Sequence, residues 1–361
     1  MTNQAQAHMA NAPVLMEVLR GKDAQGQSII ECVHHGIIGV MEGNGKVIYE
    51  NGDSNTYVHM RSCAKPFQIT PLFEMGLLDK NSKSYVPHLR DADIPLFMSS
   101  HAGEDFHVQR VQELLALMGL FVKDLRCGSH PPLDDNARKH LQMRGEACSP
   151  LHNNCSAKHV AMLLACQHQG YDMASYEQEF HPLQQHIKRT IATLADLPDE
   201  AIGVGVDGCS LPSWAVPLNV VALLYARLMH WQQHLPKEKP HYVQQAFSRM
   251  IQNSLKYPEF LAGTHRFDTV LMRASGGKIF SKTGADGMQA LAIAPCEQYP
   301  LGLGIALKIA DGDHKNTARP LVIKALLQKL SCWPHDVMLE HFMPPTTNYR
   351  GLEVVAYRDR L

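Results

Sequence analysis

Strand-like segments at both ends of the chain constrain its fold more than any other feature of the sequence. Short apolar runs rich in β-branched residues occur early, similar runs return near the C-terminus, and turn-forming residues bound them. We predict strands at residues 14–19, 29–41, 46–50, 278–282, 289–294, 301–310 and 352–357.

The long middle of the chain has a helical pattern instead. Residues 108–118, 156–168 and 242–254 carry apolar side chains at helical spacing, and residues 319–330 add a helix among the late strands. Strands and helices do not alternate regularly, which argues against a doubly wound parallel sheet. The simplest packing joins the N- and C-terminal strands in one antiparallel sheet flanked by helices. The sequence therefore predicts an α+β fold with a large helical middle region.

The same layout predicts the domain organisation. Residues 1–13 are polar and aperiodic, which is typical of a flexible N-terminal tail. We expect residues 14–361 to form a single domain. In it, residues 14–60 and 277–361 supply the sheet layer, and residues 61–276 form the mainly helical region.

Charge and composition exclude several classes of partner. The formal net charge is -1, so no long-range field favours nucleic acid or an anionic membrane. The N-terminus has neither the basic nor the apolar part of a secretory signal, and no run approaches the ~20 apolar residues of a membrane span. Nine scattered cysteines without a tight framework indicate free thiols in a reducing compartment. We expect a cytoplasmic protein with a small, weakly charged ligand.

A Ser-x-x-Lys motif gives the first chemical signal. Ser62 and Lys65 stand at positions i and i+3, so on a helix the lysine amine can reach the serine hydroxyl. Serine becomes a useful nucleophile when a base takes its proton, and lysine is such a base once its pKa is lowered. For so short a motif, the ordinary alternative is a capping serine followed by a surface lysine.

Two later motifs strengthen the catalytic interpretation. Ser100 lies in a serine-bearing loop, MSSH, and Lys282 opens a Lys-Thr-Gly triplet after an apolar run. Serine hydrolases of the penicillin-recognising group combine an early Ser-x-x-Lys, a middle serine-bearing loop and a late Lys-Thr-Gly on a strand. The order is the same here, although the middle element departs from the group's Ser-Asp-Asn.

Cysteines and a histidine in two further segments suggest a metal site. Metal chemistry alone favours Cys155 and His159, one helical turn apart, with Cys209 as a third ligand. A buried cysteine pair without metal is the ordinary alternative. Lysine is a rare ligand, because its amine must lose a proton before it can bind a metal.

Together these segments resemble the rhizobial-type L-asparaginase family, the asparaginase II family of serine/lysine amidohydrolases. HNNCSxKH and DGCSxP are long enough to be specific, whereas SxxK and KTG are not. The resemblance runs in unbroken order over most of the chain, through RSCAKPFQ (61–68), SSHAGEDFH (99–107), HNNCSAKH (152–159), VDGCSLP (206–212), AGTHRFDT (262–269) and SKTGADG (281–287).

The resemblance implies a fold like that of β-lactamases and penicillin-binding proteins, a homodimer, and hydrolysis of L-asparagine through a serine acyl-enzyme. It implies two catalytic serine-lysine pairs, in which Ser62 pairs with Lys65 and Ser100 with Lys282. It also implies a zinc ion, structural or substrate-orienting, in a site where Lys158 replaces His159. The expected zinc ligands are Cys155, Lys158 and Cys209, and the residues expected to bind substrate are Arg61, His101, Asp207 and Gly284.

Other functions stay open on the sequence. A glutaminase or a penicillin-interacting serine hydrolase of the same fold would carry the same motifs, because fold does not fix function. A zinc-stabilised binding protein on a degenerate hydrolase scaffold is the non-catalytic alternative. Such a binder has no need to keep both serines and both lysines together.

Overall fold

A computed structural model describes residues 9–334 and 336–361, so residues 1–8 of the predicted tail lie outside the described residues. The strands are β1 Val14–Lys22, β2 Ser28–Glu42, β3 Val47–Asn51, β4 Tyr57–His59, β5 Gly203–Val206, β6 Pro212–Pro217, β7 Ile279–Thr283, β8 Met288–Ile293, β9 Leu303–Ile309 and β10 Ala356–Asp359. The α-helices are α1 Lys65–Gln68, α2 Thr70–Glu74, α3 Asp93–Phe97, α4 Asp105–Leu117, α5 Asp135–Met143, α6 Ser156–Gln169, α7 Pro182–Ala195, α8 Leu218–His230, α9 His241–Lys256, α10 Pro258–Leu261, α11 Phe267–Ala274, α12 Ala318–Lys329 and α13 Val337–Glu340.

The strands at the two ends of the chain form one antiparallel sheet. Its order is β10-β1-β2-β9-β8-β7, and β3 also pairs with β2. Ile38 of β2 lies opposite Leu307 of β9, and Ala290 of β8 lies opposite Ala306. The second half of β2 and nearly all of β8 and β9 are buried, which explains their uninterrupted apolar sequences. This sheet confirms the predicted α+β fold.

The chain folds as two compact units, and the first contains the large sheet. It comprises the described residues through Val58, together with Pro217–Ala226 and Val270–Leu361. Helix α12 packs on β1 and β9. The start of α8 crosses β9 at Gly304, where a Cβ atom would lie 1.8 Å from the carbonyl oxygen of Ala222. Only glycine permits so close an approach of helix and strand.

The second unit is mainly helical and comprises His59–Val216 and Arg227–Thr269. Helix α9 packs on α2 and α3, and α6 packs on α3 and α4. Strands β5 and β6 of this unit form a small antiparallel sheet segment. The sequence interpretation missed it, because β5 and β6 are only four and six residues long and lie within a region with helical patterning.

The limits of the first unit differ from those predicted for the sheet layer. The first segment of the unit ends at Val58, its last segment begins at Val270, and Pro217–Ala226 also belongs to it, whereas the predicted sheet layer covers residues 14–60 and 277–361. A single domain over residues 14–361 stays a prediction. No helix within residues 9–334 and 336–361 is long and apolar enough to cross a membrane.

Candidate active site

Ser62 and Lys65 lie in tight helical turns just after β4. A 3₁₀-helix, Arg61–Ala64, leads directly into α1, which has Pro66 in its first turn, where proline is tolerated. Ser62 is 9% exposed and Lys65 is fully buried. Ser62 lies inside the 3₁₀ turn, so the ordinary alternative of a capping serine with a surface lysine does not describe this site.

The Lys65 amine connects the first serine motif to the second. Its Nζ atom donates to the Ser99 carbonyl and, at 3.1 Å, to the Ser100 hydroxyl. Burial lowers the pKa of the Lys65 amine; the Cys155 and Cys209 thiols oppose this shift and the Lys158 cation adds to it. An amine with a lowered pKa can accept a proton from a nearby hydroxyl.

The segment that carries Ser100 is anchored to residues 261–264. The Ser100 N–H donates to the Leu261 carbonyl at 3.0 Å. At Gly263 a Cβ atom would lie 2.5 Å from that of Ala102, and the φ of +136° also requires glycine.

Glu104 completes this anchor from a position that sequence reasoning did not single out. Its carboxylate accepts from the Thr264 N–H at 2.8 Å and from the Thr264 hydroxyl at 2.6 Å. The sequence signal that could have identified this contact is that Glu104 lies in the SSHAGEDFH segment and Thr264 in the AGTHRFDT segment. Two segments far apart in the chain therefore support one loop.

Cys155, Lys158 and Cys209 come together in the second unit. Cys155 immediately precedes α6, Lys158 lies in its first turn, and Cys209 lies in the β5–β6 connection. Lys158 Nζ donates to Cys209 Sγ at 3.3 Å. A hydrogen bond from Cys155 and the Lys158 cation overcome burial and hold the pKa of the Cys209 thiol well below its ordinary value. The same hydrogen bond and burial raise the pKa of Cys155 to about 12.

His159, which helical spacing favoured as a ligand, faces a different group. Its Nδ1 atom lies 2.6 Å from the Tyr176 hydroxyl. That hydroxyl also accepts the Arg126 N–H at 2.9 Å. The structure thus places Lys158, not His159, against Cys209.

Cys155, Lys158 and Cys209 form a thiol–amine cluster whose donor types fit zinc. Two sulfurs and one nitrogen converge, thiolates favour zinc, and lysine can join once it has lost its proton. Over the described ranges, no group of three or more His, Cys, Asp and Glu side chains is arranged to hold a metal ion. A site here therefore depends on Lys158 as the third ligand.

Asp207 links the thiol–amine cluster to the residue before Ser62. Its Oδ1 atom lies 3.0 Å from Arg61 Nη2, and its Oδ2 atom lies 4.0 Å from Cys209 Sγ. Burial raises the pKa of the Asp207 carboxyl, but the Lys158 and Arg61 cations outweigh burial and lower it. Asp207 therefore stays ionised in a partly buried setting.

His101, which is also among the predicted substrate-binding residues, is fully buried.

Lys282 and Gly284 lie in the first unit, at the end of β7. Lys282 is fully buried, and its Nζ atom donates to the Thr283 carbonyl at 2.9 Å. The Gly284 N–H donates to the Met288 carbonyl at 2.9 Å, which closes the β7–β8 hairpin. The Lys-Thr-Gly triplet therefore ends a strand, as the sequence predicts.

Arg319 holds this hairpin, and sequence reasoning missed it. Its Nη1 atom donates to the carbonyls of Gly284 at 2.8 Å and Met288 at 3.1 Å. Its Nε atom lies 3.1 Å from an Asp313 carboxylate oxygen. An aspartate shortly before a helix is a visible local signal, but the reach of Arg319 to a hairpin is not.

The sequence profile of the L-asparaginase II family matches residues 18–358, which is nearly the whole chain. The chain belongs to the L-asparaginase II family. The match confirms the resemblance in the sequence and spans every candidate site residue in both units. Membership of this family makes the chain a hydrolase that acts on amides. No curated protein sequence matches the chain.

Among solved structures, the chain is similar to glutaminases and to a β-lactamase at low sequence identity. A Bacillus subtilis glutaminase in covalent complex with 5-oxo-L-norleucine is 13% identical, with a TM-score of 0.40 over 92% of this chain and 96% of that one. A Bacillus glutaminase crystallised with NaCl is 12% identical, with a TM-score of 0.40 over 92% and 97%. A β-lactamase from Mycobacterium bovis is 11% identical, with a TM-score of 0.41 over 90% and 99%.

Proposed function

We propose that the chain hydrolyses the side-chain amide of L-asparagine to L-aspartate and ammonia, with Ser62 as the nucleophile. The observation that carries the proposal is the Lys65 amine. It is fully buried, its pKa is lowered by burial, and it lies 3.1 Å from the Ser100 hydroxyl. Such an amine loses its proton more readily than an exposed lysine, so it suits the role of base. Family membership supports an amide as the bond that is cleaved.

The reaction runs through an ester of Ser62. Its hydroxyl oxygen attacks the amide carbon while Lys65 takes the hydroxyl proton. Ser100 then passes its own proton to the leaving nitrogen, and Lys65 replaces that proton through their hydrogen bond. The C–N bond breaks and ammonia leaves. Water then cleaves the ester and releases aspartate.

Lys282 is proposed as the lysine of the second serine-lysine pair, with Ser100. This role comes from the family resemblance, and the burial of the Lys282 amine is in keeping with it. Gly284 is proposed to contact the substrate on the same grounds. Its N–H and carbonyl already bind Met288 and Arg319, so a substrate would have to share these groups.

Arg61 and Asp207 are proposed to bind the charged groups of the amino acid. Arg61 directly precedes Ser62, and its Nη2 atom lies 3.0 Å from Asp207 Oδ1, so a cation and an anion stand together. The α-carboxylate and α-ammonium groups of asparagine carry complementary charges. This arrangement favours a small zwitterionic substrate, which agrees with the near-neutral net charge of the chain.

Zinc is proposed at Cys155, Lys158 and Cys209. Bound there, it would supply a fixed positive charge that orients the substrate or the surrounding side chains. The low pKa of Cys209 supports a thiolate in this cluster. A homodimer is also proposed from the resemblance, and light scattering on the purified protein tests it. A cytoplasmic location is proposed from the nine free cysteines.

The test measures ammonia release from L-asparagine and from L-glutamine. Hydrolysis of a chromogenic β-lactam is measured alongside. The proposal expects the highest kcat/KM with asparagine and no ammonia release by Ser62→Ala. Ser254→Ala is a matched control, because Ser254 is also buried and its hydroxyl finds no partner in the described part of the chain. Full activity of a folded Ser62→Ala variant refutes the nucleophile, and faster turnover of glutamine refutes the substrate.

A further inference from the structure

His101 uses both of its ring nitrogens inside the protein. The ring is fully buried. Its Nδ1 atom accepts the Gly103 N–H at 3.2 Å, so the proton of the neutral ring lies on Nε2. Nε2 lies 2.8 Å from the Ser156 hydroxyl oxygen and donates to it. The Ser156 hydroxyl in turn donates to the Leu151 carbonyl at 3.1 Å.

This bonding pattern leaves no ring atom of His101 for a substrate. A neutral imidazole has one donor and one acceptor, and Gly103 and Ser156 take both. The ring also stacks on His107, with 5.0 Å between the ring centroids. The substrate-binding role that the sequence suggested for His101 therefore has no atom to perform it.

The bond to Ser156 connects two parts of the candidate site. His101 directly follows Ser100, whose hydroxyl binds Lys65, and Ser156 directly follows Cys155 at the start of α6. The backbone makes a second link, because the His101 N–H donates to the Asn154 carbonyl at 3.2 Å. Moving either segment would therefore move the Ser100 hydroxyl relative to the Lys65 amine.

We propose that His101 is a positioning residue, which holds the Ser100 hydroxyl against Lys65 by tying the Ser100 loop to the N-terminus of α6 through Ser156. The inference rests on the proposed function, since it needs Ser100 to take part in turnover. A displacement of about 1 Å in a reacting group can cost on the order of a hundredfold in rate. His101 would thus act on kcat without touching the substrate.

Two substitutions at His101 separate its two hydrogen bonds. His101→Asn keeps an acceptor near the Nδ1 position but cannot donate to Ser156, whereas His101→Gln keeps a donor near the Nε2 position. We expect His101→Asn to lower kcat by about ten- to a hundredfold with KM for asparagine nearly unchanged. His101→Gln should recover part of the loss. A rise in KM with kcat preserved would mean substrate contact and would overturn the proposal.

Ser156→Ala removes the His101–Ser156 hydrogen bond from the serine side, and it provides an independent test if His101→Asn does not fold. It should reproduce the kcat loss, and the double variant should lose no more than His101→Asn alone, because both remove one hydrogen bond. Wild-type kcat in Ser156→Ala, or fully additive losses in the double variant, would contradict a positioning role for the His101–Ser156 hydrogen bond.

His181→Asn is the matched control for stability. His181 is 6% exposed, and it has the same bonding pattern, with Nδ1 accepting the Leu183 N–H at 3.2 Å and Nε2 donating to the Asp172 carbonyl at 2.9 Å. Its variant should lower the thermal midpoint as His101→Asn does, with kcat unchanged. An equal fall in kcat for both variants would reduce the role of His101 to stability.

Ser100→Ala distinguishes the failure of this inference from that of the proposed function. If Ser100→Ala is inactive and His101→Asn keeps wild-type kcat, the inference alone is wrong. If Ser100→Ala keeps full activity, the proton route through Ser100 is wrong, and the role of His101 is wrong with it.

Discussion

The Lys65 amine lies 3.1 Å from the Ser100 hydroxyl, although 35 positions separate the two residues in the chain. The family resemblance implies the pairs Ser62–Lys65 and Ser100–Lys282. In the structure Lys65, which is three positions after Ser62, binds the hydroxyl of Ser100. The amine thus contacts the Ser100 hydroxyl directly, and its i+3 position places it one helical turn from Ser62.

Removal of the Lys65 amine should stop turnover. We expect Lys65→Met to lower kcat for asparagine by about 10²–10⁴-fold, the usual contribution of a general base. Lys65→Arg should be no more active, because a guanidinium keeps its proton at any ordinary pH. Ammonia release at saturating asparagine measures both variants, and circular dichroism confirms the fold. A Lys65→Arg enzyme close to wild type would be incompatible with Lys65 as a base.

Zinc binding should depend on the two sulfurs of the thiol–amine cluster. We expect Cys155→Ser and Cys209→Ser to lose bound zinc, because hydroxyl oxygen is a poor ligand where thiolate was present. Cys166→Ser is the control, since Cys166 is fully buried in α6, the helix that begins just after Cys155. Elemental analysis of the purified proteins gives the zinc content. Wild-type protein without zinc, after expression in zinc-supplemented medium, would argue against the metal site.

Loss of the buried Arg319 guanidinium should destabilise the protein. Arg319→Met leaves the carbonyls of Gly284 and Met288 and the carboxylate of Asp313 without their cation. Breaking a buried pair from one side costs about 3–5 kcal/mol in the free energy of unfolding. Arg138→Met is the control, because Arg138 pairs with Asp135 on the surface, where a pair contributes about 0–1 kcal/mol. Urea unfolding compares the two, and equal losses would show that the hairpin does not depend on Arg319.

Acid should weaken the fold through His107. Burial lowers the pKa of His107 from 6.5 to about 4, although the Glu259 carbonyl and Asp134 oppose this. Between those values the unfolded chain binds a proton that the folded chain does not, so stability is full above about pH 6.5 and falls as the pH drops towards 4. The loss from this group is about 3 kcal/mol at most.

His107→Gln removes the titrating group but keeps a donor for the Glu259 carbonyl. The variant should lose less stability than wild type between pH 6.5 and pH 4, as measured by urea unfolding at each pH. His168→Gln, at an exposed site at the end of α6, should follow the wild-type profile. Parallel profiles for His107→Gln and wild type would show that His107 does not set the acid sensitivity.

The sequence was sufficient for features that depend on near neighbours. The β-branched runs predict the strands of the large sheet, because alternation along a strand and burial on both faces are written in consecutive residues. Pro66 marks a first helical turn for the same reason, and Lys282 falls near a strand end. The sequence did not predict β5 and β6, because strands of four and six residues show little periodicity.

The choice between Lys158 and His159 shows what the sequence left open. They lie three and four positions after Cys155, each about one helical turn away, so local spacing cannot choose between them. The fold decides, by placing Cys209 3.3 Å from Lys158 and Tyr176 2.6 Å from His159.

The sequence by itself determined the strands of the large sheet, the order of the motifs and the family. Only the tertiary structure decided that Lys65 binds the Ser100 hydroxyl, that both ring nitrogens of His101 form hydrogen bonds inside the protein, and that Arg319 binds the β7–β8 hairpin. The physical reason is distance along the chain. Secondary structure depends on residues a few positions apart, whereas these contacts join segments that only the packing of the whole unit brings together.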